Sequence, residues 1–166
     1  MRQLVLSVLF VVGAAAQTAA QSTVFVVRHA ERADAGATAS PMMATDPDLS
    51  EIGKARAESL AIALKDAGIT AIFTTEYKRT QQTAAPLAKA LGIQATTVPA
   101  RDMPALIEKI KAASGNVLVV GHSNTVADVI SRLGVTDAVK VGDNDYVNLF
   151  VLVRSEKPVL LRLHYK

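Results

Sequence analysis

The fold class this sequence predicts is α/β, a three-layer α/β/α sandwich in which helices cover both faces of a mostly parallel central sheet. Strand and helix signals alternate along the chain, and two of the strand segments are apolar on both faces, as strands inside a covered parallel sheet are. The chain also has 166 residues and no Cys, long enough to bury a core without disulfides. In such a fold the crossovers are right-handed, and ligands bind beyond the carboxyl ends of the strands.

The first twenty residues stand apart. Met1-Arg2 is a short basic start before the apolar run Leu4 to Val12, followed by Ala14-Ala15-Ala16 and Thr18-Ala19-Ala20. This is the pattern of a secretory signal peptide over 1–20, so a single domain over 21–166 and a secreted or periplasmic location are expected. The apolar run is shorter than the ~20 residues that span a bilayer. No stable membrane anchor is expected after its removal.

Thr23 to Val27 reads as the first buried strand and ends at Arg28-His29. Ser50 caps a helix in which Ala57, Leu60, Ala61 and Leu64 share one face, and Gly68 suits its C′ position. A short strand over Ile69 to Phe73 precedes a helix from Tyr77 to Leu91 that Gly92 stops; Pro86 inside it should bend it or shift its boundary. A weak strand near Gln94 to Val98 leads to a helix opened by Asp102 and Pro104 and running to Ala113. Val117 to Val120 is the second buried strand, and Ser123 to Leu133 a helix closed by Gly134. Tyr146 to Val153 and Val159 to Tyr165, around a turn at Ser155 to Pro158, suggest a hairpin or two late strands. The segment Arg32 to Leu49 is long for a loop in so small a domain and is expected to border the site, with Met42-Met43 as packing.

Composition narrows the chemistry. Half the residues are apolar and 20% charged, which excludes disorder, and a net charge of +3 without a Lys/Arg cluster predicts no nucleic-acid partner. With no Cys, the chemical residues left are His, Ser, Asp and Glu.

Two strand ends carry histidine, in Arg28-His29-Ala30-Glu31 and in Gly121-His122-Ser123-Asn124, and a parallel sheet brings such ends together. Arg79 stands near the start of a helix that follows another strand, where helix N-termini attract anions and a guanidinium adds a planar donor fork. Two Arg and two His in one crevice form an electropositive pocket suited to a phosphoryl group. His29 fits the nucleophile, with Arg28, Arg79 and His122 as donors to the phosphoryl oxygens. The fixed charge of Arg28 beside His29 disfavours a metal, and no cofactor is expected. Arg32 either reaches a phosphate or pairs with Asp34, and Asn124 either contacts phosphate or caps its helix. Glu31 reads as an orienting or ion-pairing residue, Glu76 as a surface one, and His164 has no company suggesting a site role.

These motifs, with Asp48-Leu49-Ser50-Glu51-Ile52-Gly53 and the run Asp145 to Phe150, resemble the histidine phosphatase superfamily across the domain. The resemblance implies a phosphoglycerate mutase-like fold, His29 as the phosphorylated nucleophile, and Arg28, Arg79 and His122 as the phosphate-binding remainder. Two departures matter. Mutases of that family carry their acidic proton donor in an insertion, whereas only about forty residues separate Arg79 from His122. The acid-phosphatase branch places Asp directly after the second His, where this chain has Ser123. Asp102 is the first candidate for the acid, with a helix N-cap as its other reading. The expected function is hydrolysis of a phosphorylated small molecule. The alternatives are a protein phosphohistidine phosphatase and a non-catalytic phospho-ligand-binding module.

Overall fold

A computed structural model describes residues 22–34 and 46–166. The expected signal peptide and Met42-Met43 lie outside the described residues. The elements run β1 (Thr23–Arg28), α1 (Glu51–Leu64), β2 (Ile69–Thr74), α2 (Lys78–Leu91), β3 (Thr96–Thr97), α3 (Met103–Ala112), β4 (Asn116–Gly121), α4 (Ser123–Arg132), β5 (Asn148–Val153) and β6 (Val159–His164). They form one sheet in the order β3-β2-β4-β1-β5-β6. The first four in that order are parallel, while β5 runs antiparallel to β1, and β6 to β5. The sheet is therefore mixed, with its parallel part holding the site. No helix among the described residues is long and apolar enough to cross a membrane.

The all-apolar cores of β1 and β4 bury because helices cover both faces. On one face Val24, Val26, Val117 and Val119 pack with Ile107 and Ile110 of α3 and Val126, Val129 and Ile130 of α4. On the other, Val27, Leu118 and Val120 meet Leu60, Ala61 and Leu64 of α1 and Ala84 and Leu87 of α2. This division is the three-layer arrangement that the strand patterns predict.

Several boundaries differ from the sequence reading. Helix α1 ends at Leu64 with Lys65 as its cap, so Gly68, at φ +63, does not occupy C′ but turns the connection into β2. Strand β3 shrinks to two exposed residues at the sheet edge, paired only with Phe73 and Thr74. Without a covering layer there is nothing to reward a longer strand. Pro86 neither ends α2 nor moves its boundary. Gly134, at φ +99, does close α4 as expected.

One glycine positions the site through sterics. Gly53, in the first turn of α1, lies against the backbone of Glu31, where an added Cβ would stand 2.2 Å from the Glu31 carbonyl oxygen. The same oxygen accepts from Ser50 N–H at 2.9 Å, so α1 starts locked onto the segment that follows His29. Gly53→Ala is expected to destabilise the fold by about 1–3 kcal/mol, as overpacking against rigid backbone does. A chemical-denaturation midpoint equal to wild type would contradict this packing.

Candidate active site

Parallel pairing of β1 with β4 sets Arg28 opposite Gly121, so the next residues, His29 and His122, emerge side by side. His29 N–H donates to the Gly121 carbonyl at 2.9 Å, and the two imidazole centroids lie 5.4 Å apart. Helix α2 is tied to the same point, because Ala30 N–H donates to Thr83 Oγ1 at 2.9 Å and Thr83 Oγ1 donates to the Arg79 carbonyl at 2.7 Å. Arg79 Nη2 consequently reaches His122 Nδ1 at 3.5 Å. Arg28, His29, Arg79 and His122 thus converge, each at the carboxyl end of a strand or at the helix start behind one.

His29 is only 3% exposed, and its Nδ1 lies 2.8 Å from the Ala30 carbonyl oxygen. A carbonyl only accepts, so Nδ1 carries the proton and Nε2 keeps its lone pair. Burial, together with the charges of Arg28, His122 and Arg79, holds the His29 pKa at about 3 although the Ala30 bond opposes this. The imidazole is therefore neutral throughout the physiological range. Burial and Arg79 likewise lower His122 to about 4. Both shifts have the same consequence for folding. Below the ordinary histidine value of 6.5 the unfolded chain takes up protons that the native imidazoles refuse until about 4 and 3, so stability falls with pH across that window. The urea midpoint should drop on going from about pH 7 to about pH 4.

The two arginines are held by groups that sequence reasoning did not assign to the site. Arg28 donates through Nη1 to the Gly142 carbonyl at 2.7 Å and stacks on Tyr146 at 4.4 Å. Arg79 stacks on Tyr77 at 4.2 Å, and Tyr77 stands edge-on to His122 at 5.3 Å. Each guanidinium has a buried Nε without a hydrogen-bond partner among the described residues. Tyr146 lay inside the run 145–150, and Thr75, which meets His122 Nε2 at 3.1 Å, directly follows β2 as the histidines follow their strands. That position was the available signal for Thr75.

Other predicted residues fall around this centre. Of the segment Arg32 to Leu49, residues 35–45 lie outside the described residues, and Asp46 borders the centre, 3.6 Å from Arg79 Nη1. Arg32 is engaged by Asp34, through Nε at 2.7 Å and through Nη2. Asn124 is exposed on the first turn of α4, whose start is capped by Thr125 Oγ1 accepting from His122 N–H at 2.7 Å. Glu31 is committed to Arg56 at 2.6 Å, and Glu76 accepts from Ala100 N–H at 2.7 Å. His164 is exposed on β6. Among the described residues no group of three or more His, Asp or Glu is placed to hold a metal ion.

Asp102 is exposed and caps α3, accepting from Ala105 N–H at 3.1 Å. It lines a small cavity with Thr75 and Thr125, and none of the four central residues is among its hydrogen-bond or ion-pair partners. Since Asn caps nearly as well as Asp, Asp102→Asn should leave turnover of alkyl and aryl phosphates within about twofold of wild type and cost no more than ~1 kcal/mol. A loss confined to alkyl substrates would instead mark Asp102 as the acid.

A family comparison matches residues 24–109 to the histidine phosphatase superfamily (branch 1). The chain belongs to that superfamily. Among solved structures it is similar to the mycobacterial glucosyl-3-phosphoglycerate phosphatase in complex with VO3, at 15% identity and a TM-score of 0.68, over 87% of this chain and 100% of that one. The protein histidine phosphatase SixA complexed with tungstate aligns at 15% identity and a TM-score of 0.62, over 86% and 96% of the two chains. Mycobacterial hydrolase 1 aligns at 15% identity and 0.65, over 85% and 97%. At these identities the likeness concerns the fold, which is phosphoglycerate mutase-like. A comparison with curated protein sequences finds no match.

Proposed function

We propose that this protein is a phosphatase that hydrolyses a phosphomonoester through a phosphohistidine intermediate on His29. The observation that carries the reading is the tethered imidazole. Nδ1 of His29 is held by the Ala30 carbonyl, so Nε2 presents its lone pair beside Arg28, Arg79 and His122. Attack by Nε2 on phosphorus breaks the bond to the leaving oxygen, and the guanidinium groups take up the charge that spreads over the equatorial phosphoryl oxygens. Water then attacks the phosphohistidine, releasing phosphate and restoring His29. Superfamily membership and solved phosphatase neighbours support phosphatase activity, and two neighbours bind the oxyanions vanadate and tungstate.

The basic start and apolar run of 1–20 support export, so the substrate is proposed to be a phosphorylated small molecule met outside the cytoplasm. That location argues against a phosphohistidine protein as substrate. The buried neutral His29 argues against a mere anion-binding module, since a neutral imidazole adds no attraction for phosphate. A hydrolysis panel on the protein of residues 21–166 should include an aryl phosphate, several alkyl phosphates and a phosphohistidine protein. The proposal expects turnover of the esters. Phosphate binding without turnover of any member would favour the binding module, and exclusive turnover of the phosphoprotein the other alternative.

A further inference from the structure

Among the described residues no carboxyl group lies within hydrogen-bond or ion-pair distance of either histidine, so the source of the leaving-group proton has to be sought among other groups. The contacts of His122 supply one. Arg79 has only donors, so the Nδ1 atom that its Nη2 faces at 3.5 Å is the unprotonated ring nitrogen. The proton of neutral His122 is then on Nε2, which faces Thr75 Oγ1 at 3.1 Å. Thr75 Oγ1, receiving that proton, donates its own to Thr80 Oγ1 at 3.0 Å. The Thr80 hydroxyl in turn donates to the Tyr77 carbonyl at 2.8 Å, and its oxygen also accepts from Thr75 N–H at 3.1 Å. The chain ends on a backbone carbonyl, which can only accept, so the donor direction of every link is determined. Both hydroxyls are buried, Thr80 fully.

We infer that Thr75 and Thr80 are positioning residues that hold the His122 proton on Nε2, making Nδ1 the atom through which His122 exchanges protons with the phosphoryl group and the departing oxygen. The inference rests on the phosphatase reading. A substrate entering as the phosphate monoanion passes its proton from a phosphoryl oxygen to His122 Nδ1. As the bond from His29 Nε2 to phosphorus forms, the bond from phosphorus to the leaving oxygen breaks with its electron pair on that oxygen, which takes the proton from Nδ1 and departs as the alcohol. In the second half water adds to phosphorus, its proton moves to Nδ1, and the electron pair returns to His29 Nε2. Phosphate then leaves with the Nδ1 proton. Throughout, Nε2–H stays on Thr75, and the imidazolium that forms transiently lies next to the anionic phosphoryl group, which offsets the charges of Arg79 and Arg28.

The test combines imidazole 15N spectra at neutral pH with kinetics on alkyl and aryl phosphates. In the wild type, His122 should show a protonated Nε2 and an unprotonated Nδ1. Thr75→Val should mix the two tautomers and lower kcat for alkyl phosphates about tenfold or more, with KM within about twofold and aryl phosphates less affected. Thr75→Ser and Thr80→Ser, which keep the hydroxyls, should show the wild-type spectrum and rate. Unchanged His29 signals serve as the fold control. A wild-type His122 protonated on Nδ1, or a Thr75→Val protein with unaltered tautomer and alkyl-phosphate kcat, overturns the inference. Because the spectrum needs no turnover, it decides the tautomer even if the wild-type protein hydrolyses no ester, a result that would sink the phosphatase reading itself.

Discussion

His29→Ala is expected to lower kcat by at least about four orders of magnitude, the scale on which loss of a covalent nucleophile acts. The expectation follows from the lone pair on Nε2, which no neighbouring group replaces. His122 stands 5.4 Å away, centroid to centroid, but its Nε2 is turned to Thr75 and its Nδ1 to Arg79. Alanine should preserve the fold, because it removes a buried imidazole while the backbone bond from residue 29 to Gly121 stays. Phosphate or vanadate should still bind, since Arg28 and Arg79 remain. Retained turnover in this variant would remove the covalent mechanism and leave general-base attack by water in its place.

Arg79→Ala should cost ~2 to 4 kcal/mol of transition-state stabilisation, or about 30- to 900-fold in kcat/KM, as removal of one preorganised donor does. Burial and the nearby Arg32 charge both lower the Arg79 pKa, against the opposing Asp46, so an anionic phosphoryl group beside this guanidinium is a favourable neighbour. Among the described residues, Asp46 is its only carboxylate neighbour within ion-pair distance, at 3.6 Å. Arg79→Lys should recover the rate only partly, because an ammonium supplies charge without the planar fork and cannot keep the same stack on Tyr77. An Arg79→Ala protein with wild-type kinetics would show that phosphate binds elsewhere in the crevice.

Much of this site was legible because its residues follow strands that announce themselves. Val24 to Val27 and Val117 to Val120 are apolar on both faces, and neighbouring parallel strands of that kind bring their next residues, His29 and His122, together. Arg79 was legible from its place at a helix start behind β2. What escaped depends on side chains that meet only in three dimensions. Tyr77 and Tyr146 become site residues by stacking on Arg79 and Arg28, and no periodicity encodes such stacking. Glu31 and Arg56, which pair across 25 positions of sequence, are joined by the close approach of Gly53 to the Glu31 backbone. Strand β3 was overextended because Thr96 and Thr97 have strand-forming side chains but lie exposed at an edge, where two rungs of pairing are all that β2 offers.

Rapid acid-free quenching of the protein with a 32P-labelled phosphomonoester, followed by peptide mapping and identification of the phosphohistidine isomer, tests whether Nε2 of His29 carries the phosphoryl group. The expected label is acid-labile and base-stable, on the peptide containing His29, and attached at Nε2 because the Ala30 carbonyl occupies Nδ1–H. Label on Nδ1, on His122 or on any other residue would contradict it.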